Sequence, residues 1–485
     1  MSEPLIFEMS RPGRRACSLP DLDVPAPPAH ELLPAELLRE SPPPLPELTT
    51  RDVVRHFTRL SQKNFAVDTH FYPLGSCTMK YNPKVNELLA SLGGFVDAHP
   101  YAAEQAPGVV ELMVSLGEAL CEITGMDAVS LQPAAGAHGE LAGLMIVQAY
   151  HASHGGRRKV ALVPDSAHGT NPASCTLAGL DVREVKSARN GLLDMKSFRE
   201  QLSDRVAVMM ITNPNTLGLF ERDVLTIARE LHDHGALLYL DGANLNAIMG
   251  VARPGDFGVD VMHLNLHKTF GTPHGGGGPG AGPIAVKDAL APYLPTPVAR
   301  RDAAGRAFLD DDRPESIGKV RSFYGNVGVM VRAYAYIRAL GAEGIREAAE
   351  RAVLNANYLL RKLAPRYPVP YGERCMHEFV ATGEPFAKHG VKTLDIAKRL
   401  IDYGMHPPTI YFPLIVREAL MIEPTETESR ETLDRFADAM LKIAEEAERS
   451  PEILLSAPNT TEFSRFDEVA AGRKPRLRFE PSRLF

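Results

Sequence analysis

ALLYLDGANLN (236–246) and VMHLNLHKTFGTPHGGGGPG (261–280) decide the fold. Each opens on a short apolar run of the kind that fills a strand buried on both faces. Each then breaks at once into polar and glycine-rich sequence. The same pattern recurs upstream. Val160–Val163 runs into DSAHGTN, and Val206–Ile211 runs into TNPNTLG. Between these runs lie helical patterns such as Leu225–His234. Strands alternating with helices predict βαβ units around a mostly parallel sheet, with ligands at the carboxyl ends of the strands. The polar segments sit at those ends, so the chemistry is expected there.

Outward from this centre the chain divides in three. Residues 1–64 are proline-rich and predict an extended arm with a short amphipathic helix around Thr50–Leu60, wrapping another part of the assembly. Residues 65–330 hold the large α/β domain. Residues 331–485 are expected to form a smaller α+β domain with an extended basic tail. In it the helical patterns Val329–Leu340, Glu343–Leu363, Thr393–Tyr403 and Glu431–Arg449 accompany a strand at Ala419–Ile422, with Gly341 and Gly404 as helix stops. A length of 485 residues agrees with two or three domains.

Composition excludes several classes. A net charge of −7 with a pI near 6.2 gives no electrostatic reason to expect nucleic acid or an acidic membrane surface. No apolar run approaches the roughly 18 residues a spanning helix needs, and the first residues lack a signal peptide's apolar stretch. Five scattered cysteines without a CxxC pair suit a reducing compartment, so a cytoplasmic protein is expected.

Asp241 ends one strand, and Lys268 follows 27 positions later. Pyridoxal 5′-phosphate chemistry asks a protein for that pair: an amine to bind the cofactor as a Schiff base, and a carboxylate to keep the pyridine nitrogen protonated. Lys268 sits among Leu264, Leu266 and Phe270, which suits an amine of depressed pKa. Taken singly, Lys268 is better explained as a surface lysine in a loop, the helix start is weak against an ordinary tight turn, and His168 is as well explained as a loop histidine. Together they converge. Ala243 is small enough to lie flat on a ring, and Asn244 is placed to reach its phenolic oxygen. His168 offers a stacking partner, and Asn213 a polar contact. Ala134, Ala135, Gly136 and Ala137 open a helix whose N–H groups suit a phosphate.

These residues resemble the pyridoxal-phosphate-dependent aminotransferase-like fold (fold type I), in the branch with Asp-Gly-Ala and His-Lys. By that resemblance Asp241 pairs with the ring nitrogen, His168 stacks on the ring, Lys268 holds the cofactor and His267 contacts its phosphate. Asn265 stands where the branch often has Ser or Thr. A finer resemblance is to glycine dehydrogenase (decarboxylating), the P-protein of the glycine cleavage system. FYPLGSCTMKYNPK (71–84), QPAAGAHGE (132–140), DSAHGTNPASC (165–175), YLDGANLNA (239–247) and LNLHKTFGTPHGGGGPG (264–280) are similar to its motifs. The long form of that family is about twice this length, so the chain resembles subunit 2 of the two-chain form. The resemblance implies a cofactor-free subunit 1 as partner, in a heterodimer or dimer of heterodimers. It implies glycine as substrate, release of CO2, and transfer of the aminomethyl group to a lipoylated H-protein. The residues around GSCTMKYN (75–82) are expected near the site, with Cys77 an inert thiol. The run Gly275–Gly278 is expected to shape the entrance.

Three other readings stay open at this point. His263 and His267, spaced i,i+4, with His274, or His151 with His154, suit a zinc site. Another pyridoxal phosphate activity is the nearest enzymatic alternative. A cofactor-free scaffold is the third, and it has no reason to keep both Asp241 and Lys268.

Overall fold

The computed structural model describes residues 3–156, 158–274, 279–475 and 477. The run Gly275–Gly278 and most of the basic tail therefore lie outside the described residues. Two compact units emerge, Met1–Ala66 with Pro458–Phe485, and Val67–Ala457.

The first unit is built on the helix Thr50–Gln62. Thr49 caps it reciprocally, its side chain accepting from the Asp52 N–H while the Asp52 carboxylate accepts from the Thr49 N–H. Glu3 is tied to this helix through Arg59 and His56, and Lys63 pairs with Glu462.

The second unit contains a seven-stranded sheet. Its strands are β1 (Ala128–Ser130), β2 (Val160–Pro164), β3 (Asp181–Val185), β4 (Val206–Thr212), β5 (Leu237–Gly242), β6 (Val261–Leu264) and β7 (Ile284–Val286). The order is β1-β7-β6-β5-β4-β2-β3, parallel throughout except for β7, which runs antiparallel to both its neighbours. This is the mostly parallel α/β architecture expected from the alternating runs. Every residue of β4, β5 and β6 is buried, which is why those strands read as continuous apolar sequence rather than alternating sequence. Two apolar clusters form. One contains Leu162, Met209, Leu238 and Met262, the other Ala161, Val208, Tyr239 and Val261, as alternation along the strands requires. After a short hairpin of β8 (Val298–Arg301) and β9 (Ala307–Asp310), a helical stretch covers Val327–Leu363. Gly341 interrupts it with φ 63°, a left-handed conformation that ends the first segment where the sequence placed a stop. A second core, with Phe379, Phe436, Met440 and Ile443, packs a three-stranded antiparallel sheet against helices Thr393–Asp402 and Arg430–Arg449. Its strands are β10 (Phe379–Thr382), β11 (Thr409–Ile410) and β12 (Ala419–Ile422).

The register of the large sheet positions the site. Thr212 on β4 is the cross-strand neighbour of Asp241 on β5, and Asp241 is the neighbour of His263 on β6. In parallel strands, paired residues project from the same face. Three polar side chains therefore form one row at the carboxyl edge. Gly242 ends β5 because a Cβ there would stand 2.2 Å from the His263 carbonyl oxygen.

Candidate active site

A cavity of about 200 Å³ opens beside this row, lined among others by Gly136, Ala137, His168, Asp241, Asn244 and Lys268. Asp241 and Lys268 thus reach one space from adjacent strand ends. Asp241 comes from β5, and Lys268 from the single helical turn Leu266–Thr269 that follows β6.

Asp241 is 4% exposed and surrounded by donors. Its Oδ2 accepts from Asn171 Nδ2 at 3.0 Å, and its Oδ1 accepts from the Ala243 N–H at 3.0 Å. His263 Nε2 lies 3.2 Å from the same Oδ1. Burial alone would raise the carboxyl pKa. The charge and hydrogen bond of His263, with Asn171 and the Ala243 amide, overcome it and hold Asp241 well below the usual carboxylate range. Oδ1 is saturated by two donors, whereas Oδ2 has one. The remaining lone pair on Oδ2 is free for a further donor.

Gly136 and Ala137 begin the helix Gly136–Ser153, with Ala135 as its N-cap; Ala135 itself is not part of the cavity wall. The first N–H groups of a helix have no intrahelical acceptor, so they remain available to an anion. A Cβ on Gly136 would stand 2.5 Å from Asn265 Oδ1, so a side chain there would displace the Asn265 amide from the cavity wall. Asn265 Oδ1 and Thr212 Oγ1, both buried and both on the lining, have no hydrogen-bond partner among the described residues.

Lys268 Nζ donates to the carbonyl of Ser76 at 2.8 Å. His267 accepts from the Ala281 N–H at 3.3 Å, and burial, with His274 and Lys268 nearby, lowers its pKa to about 4. It is therefore neutral. His168 stands exposed at the cavity rim, its Nδ1 accepting from the Thr170 N–H and its ring edge-on to Phe412. Asn244 lines the cavity and donates to the Pro214 carbonyl at 3.3 Å. Asn213 is placed elsewhere. Its amide exchanges hydrogen bonds with the backbone of Glu221, and Thr212 and Thr216 occupy the wall instead. The Asn213 amide is turned by the tight connection after β4, which the TNPN sequence does not reveal.

Several residues at the site were not singled out by sequence. Asn171, Glu140, Thr170 and Thr216 are among them. His263 appeared only as a zinc candidate. Counting residues back along β5 and β6 from their polar breaks would have set it opposite Asp241. It contacts Asp241 and Tyr239, while His267 lies on the next element and faces Ala281, so the i,i+4 pair does not converge. Cys77 is mostly buried, and burial pushes its thiol up to about 11, so no thiolate forms near neutrality. Lys80 is fully buried against Glu426, Asn246 and the Tyr336 hydroxyl.

Beneath the cavity, segment 75–78 carries unusual backbone. Ser76 and Thr78 have φ of 62° and 49°, left-handed values for residues with side chains. Two buried carboxyl groups secure it. Glu378 accepts from the Ser76 N–H at 2.7 Å, and Glu423 accepts from both the N–H and the hydroxyl of Thr78.

Comparison with known proteins places this geometry. The sequence pattern described as "Glycine cleavage system P-protein" matches residues 28–307, and "Glycine dehydrogenase, C-terminal domain" matches 348–459. The chain is 60% identical to "Probable glycine dehydrogenase (decarboxylating) subunit 2" of Caldanaerobacter subterraneus subsp. tengcongensis, over 98% of each chain. It is 58% identical to the protein of the same name in Halalkalibacterium halodurans, over 99% of this chain and 98% of the other. Its fold matches a crystal structure of glycine decarboxylase (P-protein) in inhibitor-bound form, with TM-score 0.72 and 23% identity, over 86% of this chain and 94% of that one. With this degree of identity over nearly its whole length, the chain belongs to the glycine cleavage system P-protein family, among the glycine dehydrogenase (decarboxylating) subunit 2 proteins.

Proposed function

We propose that this chain is the cofactor-bearing subunit of a glycine decarboxylase, holding pyridoxal 5′-phosphate through Lys268. The observation that carries the reading is one cavity shared by a deeply ionised Asp241 and the Lys268 amine. The lining suits the cofactor's chemistry. A helix start with free N–H groups at Gly136 and Ala137 suits a phosphate, and the Thr212 hydroxyl and Asn265 carbonyl, unpartnered among the described residues, suit a polar aromatic. Oδ2 of Asp241 has the lone pair that a ring N–H requires.

When bound, pyridoxal phosphate supplies an electron-accepting ring that takes up the pair left on the glycine α-carbon as CO2 departs. The protein's part is electrostatic and positional. Asp241 keeps a proton at the ring nitrogen, and the Asn171, Ala243 and His263 donors keep Asp241 charged for that purpose. The Ser76 carbonyl receives the Lys268 amine whenever the amine is not bonded elsewhere, so it stays within reach of the cavity. His168 covers the rim, and neutral His267 offers a ring without adding charge. Glycine is the substrate in this reading. The aminomethyl group passes to the lipoyl group of an H-protein, and a cofactor-free subunit 1 completes a heterodimer or dimer of heterodimers.

The purified protein should be yellow, and borohydride should bleach it by reducing the Schiff base, leaving the cofactor covalently fixed on Lys268. With partner subunit and H-protein present, labelled CO2 should exchange into glycine, and Lys268→Ala should abolish that exchange. A colourless protein, or transamination without CO2 exchange, overturns the reading.

A further inference from the structure

His263 has a role that the cavity lining alone does not reveal. It is 1% exposed in its side chain and sits in the sheet row directly beside Asp241. Nε2 lies 3.2 Å from Asp241 Oδ1, and Nδ1 lies 3.0 Å from the Tyr239 hydroxyl. That hydroxyl is also 3.3 Å from the Gly139 carbonyl. Tyr239 is fully buried, so its proton must go to one of these two neighbours.

A carboxylate only accepts, so Nε2 carries a proton in every arrangement. If Tyr239 donates to Gly139, Nδ1 must donate to Tyr239, and the ring is an imidazolium. If Tyr239 turns its proton to Nδ1, the ring is neutral. Each arrangement leaves both ring nitrogens and the Asp241 oxygen paired. Rotation of a single hydroxyl connects them.

We propose that His263 is a positioning residue for decarboxylation, holding Asp241 oriented and ionised toward the cofactor nitrogen, with the Tyr239 hydroxyl as the rotor that accommodates one ring proton or two. This inference rests on the cofactor assignment above. His263 acts through Asp241 and does not touch the reacting carbon.

The surroundings agree. Asp241 on β5 and Glu140 on the helix Gly136–Ser153 both face His263 with negative charge. Burial and the Lys268 ammonium oppose the extra proton, yet the carboxylates prevail and the His263 pKa is raised. Glu140 is already engaged by the Thr170 and Ser174 hydroxyls, which leaves Asp241 as the direct partner of His263.

Two measurements test this. In the apoprotein, selectively 15N-labelled histidine should show His263 protonated at Nε2 at every pH where the protein is folded. A bare Nε2 there overturns the proposal without reference to any cofactor. In the holoenzyme with 15N-labelled pyridoxal phosphate, the ring nitrogen should stay protonated across neutral pH in wild type. In His263→Phe it should lose its proton at a pH lower by about one unit, a tenfold weaker hold. His263→Gln, which keeps an N–H but no charge, should fall between, as should Tyr239→Phe; these two decide the matter if His263→Phe does not fold. Wild-type midpoints in the variants, even with weaker cofactor binding or lower stability, mean that His263 only packs and overturn the proposal. Failure of wild type to bind pyridoxal phosphate, with Nε2 protonated in the apoprotein, overturns the cofactor reading instead.

Discussion

Asp241 at the end of β5, and Glu378 with Glu423 beneath segment 76–78, are equally withdrawn from water, at 4%, 0% and 0% exposure. Their pKa values nonetheless move in opposite directions. Asp241 goes down, whereas Glu378 goes well up and Glu423 goes up. The difference lies in the neighbouring charges and the donors. Asp241 has an amide side chain, a backbone N–H and a raised-pKa histidine. Glu378 has one backbone N–H on Oε2, and its Oε1 has no hydrogen-bond partner among the described residues. The nearest histidine, His377, is 3.9 Å from Glu378 Oε1 and 4.0 Å from Glu423 Oε1, too far to bond. Burial, with Lys268 nearby, pushes it down to about 3, so it contributes no charge. Burial penalises every carboxylate; at Asp241 the charge and hydrogen bond of His263, with two further donors, reverse the penalty, while at Glu378 the neighbouring Glu423 charge adds to it. Asp241 is held ionised beside the cavity, whereas the two glutamates that tie down backbone are pushed toward their neutral forms.

The sharpest way to break that comparison is Asp241→Asn, which keeps the shape and removes the charge. Glycine–CO2 exchange should fall by about a thousandfold, equivalent to about 4 kcal/mol of transition-state stabilisation. The stability deficit of the variant should also depend on pH. A depressed carboxyl pKa contributes stability that is fully present above the unfolded value of 3.8 and is lost as pH falls through 3.8 toward the folded value. The deficit should therefore be constant across neutral pH and shrink only in strong acid. A loss of exchange under tenfold would show that the Asp241 charge is dispensable.

Next in size is Thr78→Val. It removes the hydroxyl that donates to Glu423 Oε1 at 2.6 Å, and it keeps the backbone N–H and the β-branch. A buried acceptor losing its donor costs about 1–3 kcal/mol, read as a drop in the denaturant midpoint. Exchange activity should fall less than in Asp241→Asn, since Lys268 bonds to the Ser76 carbonyl and not to Thr78. An unchanged midpoint would mean that Glu423 does not hold the segment.

The two regions also differ in how much of them the sequence discloses. β4, β5 and β6 are apolar runs that stop at polar residues, so strand identity, order of chemistry and the Asp241–Lys268 pair can all be worked out locally. The helices expected at Thr393–Tyr403 and Glu431–Arg449 run from Thr393 to Asp402 and from Arg430 to Arg449, and the strand at Ala419–Ile422 is also legible from periodicity. His263 was within reach by strand register, but its spacing from His267 suggested metal, because spacing alone does not say that β6 ends between them. Ser76, Cys77, Thr78 and Lys80 were expected near the site without roles. Their partners Glu378, Glu423 and Glu426 lie some 300 residues away, beyond any periodic signal. The left-handed Ser76 and Thr78 carry no glycine to announce them.

The smallest expected effect is the most discriminating. Glu378→Gln replaces a neutral acid by a neutral amide of the same shape, which can still accept the Ser76 N–H. Near pH 5 the variant should lie within about 0.5 kcal/mol of wild type in chemical denaturation. The sign of the pH dependence is opposite to that at Asp241. A raised carboxyl pKa gives stability that is fully present below the unfolded value of 4.5 and is lost as pH rises from there through the folded value. Wild type should therefore lose ground as pH rises, and Glu378→Gln, with nothing to ionise, should match or exceed it at pH 8. If the variant is instead increasingly less stable than wild type toward alkaline pH, Glu378 is ionised in the folded protein. The nearby Lys268 amine would then be the charge that offsets it, and the two carboxyl layers would differ in the kind of counter-charge rather than in its presence.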